Sequence, residues 1–154
     1  MSTNYPKAKG RASSGQFLAL PHSLITHPRF LQLSSTAIHM FITLGTQYNG
    51  RNNGDLCVSI SILKKQGWNS NSKIRNAMDE LLNEGFVIKT RQGGVLGACH
   101  LWALTFRKID ECKKILDVKP TNSPLNYWKD PAFKQKRDYP KTITMMTPPL
   151  HHKN

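Results

Sequence analysis

Apolar residues recur at helical spacing in two stretches of the chain. In the first, Ile38, Phe41, Ile42 and Gly45 follow at i, i+3, i+4 and i+7 behind Ser34, a residue suited to the N-cap. Ala37, Met40, Leu44 and Tyr48 add a second stripe, so the spacing predicts a helix over 34–48 that is apolar on most faces and sits centrally in its fold. In the second, Ile74, Met78, Leu81 and Leu82 stand at i, i+4, i+7 and i+8, with Ser70 or Asn71 near the cap and Gly85 at the close. A helix over 70–84 is predicted there. Between the two, the Asn- and Gly-rich stretch 49–55 reads as turns and 56–58 as a short strand. Ser59 then caps a helix of about two turns that stops at Gly67, where left-handed geometry is favoured.

Past Gly85 the period changes to two. Residues 86–91 and 99–106 alternate as the strands of a hairpin, with Phe86 and Ile88 on one face of the first and Trp102, Leu104 and Phe106 on one face of the second. Val87, Lys89 and Arg91 are expected to share the face opposite Phe86 and Ile88. The connecting loop holds three glycines, Gly93, Gly94 and Gly97, which allow close approach of another backbone. Upstream, 17–20 reads as a short strand or extended segment and 23–31 as a short helix interrupted by Pro28. Downstream, a helical turn is expected at 110–115, after which prolines break any long element and leave an extended tail. Residues 116–128 carry apolar anchors among those prolines, which either pack along the domain or dock a partner protein. The organisation read from this pattern is a basic arm over 1–16, one α+β domain over 17–106 and a basic C-terminal extension over 107–154.

Charge adds a partner to this picture. The 154-residue chain carries 22 Lys and Arg against 9 Asp and Glu, a net charge of +13, and the excess is spread over arm, domain and extension rather than confined to a tail. A polyanion, nucleic acid first, is the expected partner. No apolar run is long enough to span a bilayer and the N-terminus lacks a signal-peptide apolar stretch, so no membrane association and a cytoplasmic location are expected. Cys57, Cys99 and Cys112 are widely separated and are read as reduced thiols. None of the six histidines falls into a metal-binding spacing, and His39 on its apolar helix is read as a packing residue. The glycine loop precedes a strand and contains no Gly-Lys-Ser/Thr, so it is not read as a phosphate cradle. No paired-carboxylate or Ser/His/Asp arrangement can be assembled from local spacing, so a non-enzymatic protein without cofactors is expected.

The order helix, short strand, short helix, glycine turn, amphipathic helix, strand, glycine loop, strand over 34–106 resembles the winged helix-turn-helix superfamily. The stretch from Asn76 through Asp79, Glu80, Leu81, Leu82, Gly85 and Phe86 to Ile88 is similar to the junction of recognition helix and wing in bacterial regulators and in plasmid and phage replication proteins. The resemblance implies double-stranded DNA as partner and a bacterial cytoplasm or nucleoid as location. It also implies that the 70–84 helix enters the major groove by its N-terminal end. Asn69, Ser70, Asn71, Ser72, Lys73, Arg75 and Asn76 would then face DNA, with Asp79, Glu80 and Glu84 away from the groove. Those residue types suit the task, because Arg pairs with guanine and Asn with adenine while Ser and Lys hold phosphates. They also suit mere helix capping and solvation.

Lys89, Arg91 and Gln92 on the hairpin, Lys64 and Lys65 on the preceding helix, and Arg51 in the Asn/Gly loop are further candidates for backbone contacts, as are Lys7, Lys9 and Arg11 in the arm. Trp68 and Trp102 are read as packing residues rather than base-stacking platforms. A sequence-specific regulator is the leading expectation. A replication-initiation or accessory protein of a mobile element is the alternative, and a protein-interaction adaptor is the reading from a different class. A homodimer and a protein partner for the C-terminal extension are both left open.

Overall fold

The two strongest periodic signals become the two longest helices. A computed structural model describes residues 15–94 and 97–134. Its elements are α1 (His22–Ile25), α2 (Pro28–Leu31), α3 (Ser35–Thr46), β1 (Leu56–Cys57), α4 (Ile60–Leu63), α5 (Asn71–Asn83), β2 (Val87–Arg91) and β3 (Leu101–Leu104). A single 3-10 turn follows α4 at Lys64–Gln66 and another lies at Tyr127–Lys129. The architecture is α+β: helices on one side of a three-stranded antiparallel sheet of order β1-β3-β2. No helix among the described residues is long and apolar enough to cross a membrane.

Helix α3 begins where Ser34 accepts a bond from the Ala37 N–H at 3.1 Å. It buries Ala37, Met40, Phe41, Leu44 and Gly45, while Ile42, expected on an apolar face, is exposed. Gly45 has no room for a Cβ because the Leu18 side chain lies over it, so the extended 17–20 segment packs on the helix without forming a strand. Pro28 does not interrupt a helix. It opens a new one at its first position, with His27 Nδ1 accepting from the Arg29 N–H at 3.3 Å. Ser59 does not cap α4 through its side chain, since its hydroxyl pairs with that of Ser61 at 3.1 Å. Gly67 does stop the following turn in left-handed geometry, with φ +86°.

Helix α5 is capped by Ser70, whose hydroxyl accepts from the Lys73 N–H at 3.4 Å, and it buries Ile74, Ala77, Met78, Leu81 and Leu82 against α3 and the sheet. Its end sets the register of everything after it. Gly85 takes φ +80° and the Phe86 N–H reaches back to the Leu81 carbonyl at 2.9 Å, the Schellman arrangement. Phe86 thus belongs to the helix terminus, and strand alternation begins at Val87. Opposite Leu104, Val87 points to the helices and is fully buried, whereas Ile88 opposite Ala103 points the other way and is half-buried. Val87 and Ile88 thus take opposite faces as expected, but Phe86, in the core with Val87, does not share the face of Ile88. A bulge at Thr90 then shifts the parity again: Lys89 stands opposite Trp102, but Arg91 stands opposite Leu101. Lys89 and Arg91 lie on opposite faces of the sheet, not on one as expected.

Side-chain amides lengthen a sheet whose first strand has two residues. Gln47 exchanges both bonds with the Cys57 backbone, its Nε2 donating to the carbonyl at 2.9 Å and its Oε1 accepting from the N–H at 2.8 Å. Fully buried Asn53 does the same for Leu104, with Nδ2 donating to the carbonyl at 2.9 Å and Oδ1 accepting from the N–H at 2.8 Å. Each amide acts as one extra rung of the ladder and leaves the strand edge satisfied.

All four residues of β3 are buried, which one layer of helices cannot achieve. The second cover comes from the segment after Phe106. Ile109, Cys112 and Leu116 close over Gly54, the Asp117 N–H donates to the Thr90 carbonyl at 2.7 Å, and Lys114 pairs with Asp55 at 2.7 Å. The helical turn expected at 110–115 is absent, because Asp110 instead exchanges bonds with Asn53, its N–H donating to the Asn53 carbonyl at 2.8 Å and its carboxylate accepting from the Asn53 N–H at 2.9 Å. Further on, Trp128 inserts into the core beside Phe86, with ring centroids 6.3 Å apart. It joins an aromatic cluster of Phe30, Phe41, Phe86 and Phe106. The Arg29 guanidinium fastens the segment by donating to the carbonyls of Glu84, Asp130, Pro131 and Phe133. Packing thus continues well beyond Phe106, where the domain was expected to end.

Two substitutions test that extension. Trp128→Ala should cost about 3–5 kcal/mol in urea unfolding, as for other large-to-small core changes. Ile115→Ala, at an 87% exposed position, should stay within about 0.5 kcal/mol of wild type. Equal, small effects would show that residues 107–134 are not part of the cooperative unit.

Candidate nucleic-acid interface

The apolar stripe of α5 decides which of its polar residues face outward. With Ile74, Ala77 and Met78 held inward, Asn71, Ser72, Lys73, Arg75 and Asn76 are all exposed, as is Asn69 just before the helix. No acidic residue lies in the first turn, so the partial positive charge of the helix N-terminus is reinforced by Lys73 and Arg75 rather than cancelled. Ser70 and Ser72 share a hydroxyl contact at 3.0 Å. The acidic residues of the helix divide. Glu80 accepts both the Ser34 N–H and the Ser34 hydroxyl at 2.6 Å, tying α5 to the start of α3, and Glu84 lies 3.9 Å from Arg29. Asp79 faces the same cleft as Arg75.

That cleft, about 650 Å³, lies between α5 and the sheet. Asn71, Ile74, Arg75, Met78 and Asp79 line its helix side; Lys89, His100, Trp102 and Val58 line the other. It unites three of the sequence candidates, Asn71, Arg75 and Lys89. The Lys89 ammonium donates to Gln92 Oε1 at 3.1 Å and sits 5.4 Å from the centre of the Trp102 ring. Burial lowers its pKa, and the nearby Asp79 carboxylate works in the opposite direction. Gln92 therefore belongs to the site through its side chain, while its backbone N–H is tied to Asp117 at 2.7 Å.

The remaining candidates lie apart from the cleft. Lys64 and Lys65 are exposed on the 3-10 turn after α4, ahead of Gly67. Arg91 is on the far face of the sheet and donates to the Cys99 carbonyl at 3.1 Å, with Lys114 as an electrostatic neighbour. Arg51 is exposed in the loop that Asn53 anchors at the C-terminal end of β3, away from the 92–100 loop. Lys7, Lys9 and Arg11 fall outside the described residues.

The site also holds residues that the sequence did not single out. Trp102 was expected to be packing and is 4% exposed, yet it forms the floor under Lys89. His100 was noted only as lacking a metal pattern; its Nδ1 accepts the Gly93 N–H at 2.9 Å. Gly93 is required there, since a Cβ would meet the backbone of Ala98, Cys99 and His100 at 2.5 Å. Trp68 is buried, its indole N–H donating to Thr43 at 3.2 Å, and His39, though exposed, stacks on it at 4.8 Å. All three thiols are free. Burial, followed by the neighbouring Cys99 thiol, raises the Cys57 pKa, the opposite of what an activated nucleophile needs. No cluster of three or more metal-ligating side chains exists among the described residues.

No protein-family model matches the chain, and neither the curated proteins nor the solved structures contain a significant match.

His100 gives the site a pH signature. Burial first, then the Lys89 charge, lowers its pKa below the ordinary value. Its contribution to stability is therefore full above about pH 6.5 and lost as pH falls through the folded-state pKa, because the unfolded chain binds the proton more readily. Urea midpoints measured between about pH 7.5 and 5 should converge for wild type and His100→Gln as the pH drops. Parallel profiles would show that the Gly93 bond does not depend on a neutral imidazole.

Proposed function

We propose that the chain is a double-stranded DNA-binding protein of winged-helix type, in which the N-terminal half of α5 enters the major groove and the 87–104 hairpin serves as the wing. The observation that carries this reading is the exposed end of α5: Asn71, Ser72, Lys73, Arg75 and Asn76 stand clear of the core, with no acidic side chain in the first turn. Recognition in the groove needs bidentate donors and acceptors on a rigid element, which Arg75, Asn71 and Asn76 provide. Lys73, Lys64 and Lys65 supply phosphate contacts and Lys89 with Gln92 supplies the flanking contact from the wing. Arg91 and Arg51 are left out of the contact set, because the Thr90 bulge and the Asn53 anchor direct them elsewhere. Regulation of transcription at a specific site is the use that fits a reader of this size best.

Fluorescence anisotropy with a random-sequence duplex at several salt concentrations tests the proposal. Each phosphate contact releases counterions, so log affinity should fall with log salt by roughly 0.9 per contact. Lys73→Ala combined with Arg75→Ala should weaken binding strongly, and Lys89→Ala should lower the salt slope by about 1. Arg91→Ala should change neither. Absence of salt-dependent binding, or indifference to the α5 variants, would overturn the reading in favour of a protein-docking role.

A further inference from the structure

The chain contains the dipeptide Asn-Gly at Asn49-Gly50 and again at Asn53-Gly54, and the fold treats the two copies in opposite ways. An asparagine amide followed by glycine is open to attack by its own backbone. The glycine nitrogen, with no side chain to shield it, reaches the asparagine Cγ and closes a five-membered ring. In a folded protein this requires an amide free to turn over the backbone and a glycine N–H that base can reach.

Asn53 meets neither condition. Its side chain is fully buried, Nδ2 donates to the carbonyls of Leu104 at 2.9 Å and Lys108 at 2.8 Å, and Oδ1 accepts from the Leu104 N–H at 2.8 Å. Gly54 lies buried beneath Leu116 and Cys112. Asn49 and Gly50, by contrast, are both exposed, and nothing stands within 4 Å of where a Gly50 Cβ would be. Among the described residues, the Asn49 amide is engaged through Oδ1 alone, which accepts from the Arg51 N–H at 3.0 Å. That donor sits where negative charge develops when Cγ becomes tetrahedral, at a distance suited to stabilising it.

We propose that Asn49 is a site of spontaneous deamidation, with water as the co-reactant. Base removes the Gly50 amide proton, the Gly50 nitrogen forms a bond to Asn49 Cγ, and the Cγ–Nδ2 bond breaks as ammonia leaves with a proton from water. Water then adds to one of the two carbonyls of the resulting succinimide and opens the ring there, giving aspartate or isoaspartate. No electrons are transferred: water enters, ammonia leaves, and the product carries a new carboxylate beside Arg51. Isoaspartate also lengthens the main chain by one carbon in the turn where the Asn49 N–H donates to Asn52 Oδ1 at 2.8 Å. The site does not rest on the DNA-binding reading, since this turn lies apart from the α5 surface.

The test holds the full-length folded protein at about pH 8, in parallel with the same protein unfolded in urea, and follows both by peptide mass spectrometry. Trypsin cuts after Arg29, Arg51 and Lys64, so the two asparagines fall in separate peptides, 30–51 and 52–64. A sample digested at zero time corrects for conversion during digestion. In urea both peptides should acquire the mass increment of deamidation at comparable rates. In the folded protein, peptide 30–51 is expected to convert at a rate close to that in urea. Peptide 52–64 should convert at least about tenfold more slowly, because Asn53 reacts only when its buried bonds open. A peptide 30–51 that stays unconverted in the folded protein over the time it converts in urea would overturn the proposal. So would equal conversion of the two peptides in the folded protein.

Discussion

The fold and its site depend on one buried stripe. Ile74, Ala77, Met78, Leu81 and Leu82 pin α5 against α3 and the sheet, and Glu80 locks the alignment by holding the N-cap of α3. Rotating α5 would expose several large apolar side chains, each worth about 1.5–3 kcal/mol of burial. The outward direction of Asn71, Ser72, Lys73, Arg75 and Asn76 is thus a consequence of core packing and needs no separate device. The same stripe brings Asn71, Arg75 and Asp79 to the cleft, since they follow one another at intervals of four on the face beside it.

The sheet opposite is held from both sides. Helices cover the face carrying Trp102 and Leu104, and the segment after Phe106 covers the other, so that a three-stranded sheet with a two-residue edge strand can bury its central strand completely. Gln47 and Asn53 complete the ladder where the backbone of β1 runs out. Trp128 and the Arg29 clamp then close the packed unit at the end of the segment. The cleft gains rigidity from this arrangement, because Thr90, Gln92 and Gly93 at the base of the hairpin loop are each bonded to something outside it or across it.

Helices α3 and α5, the stops at Gly67 and Gly85 and the existence of the hairpin were legible in the sequence, because each rests on local periodicity or on a glycine with positive φ. The exposed end of α5 was legible for the same reason. What was not legible depends on departures from period. The Schellman turn takes Phe86 out of the strand, and the Thr90 bulge sends Lys89 and Arg91 to opposite faces; neither leaves a mark on an alternating pattern. The roles of Gln47 and Asn53 depend on partners at least ten residues away. In the 107–134 segment prolines hide any period, and the apolar anchors of 116–128 left packing along the domain and docking of a partner both open until Trp128 was found in the core. Asp79, His100 and Trp102 entered the site only once the register across β2 and β3 was known.

The central claim is that the exposed end of α5 and the adjoining Lys89 side of the sheet form the surface that meets double-stranded DNA. Mapping amide and side-chain NMR shifts on addition of a short duplex tests it most directly. The account predicts perturbations concentrated at residues 69–76, Lys89 and Gln92, with Arg51, Arg91 and the 107–134 segment unmoved. Perturbations centred on Arg91 or Arg51, or none on any surface at low salt, would contradict it.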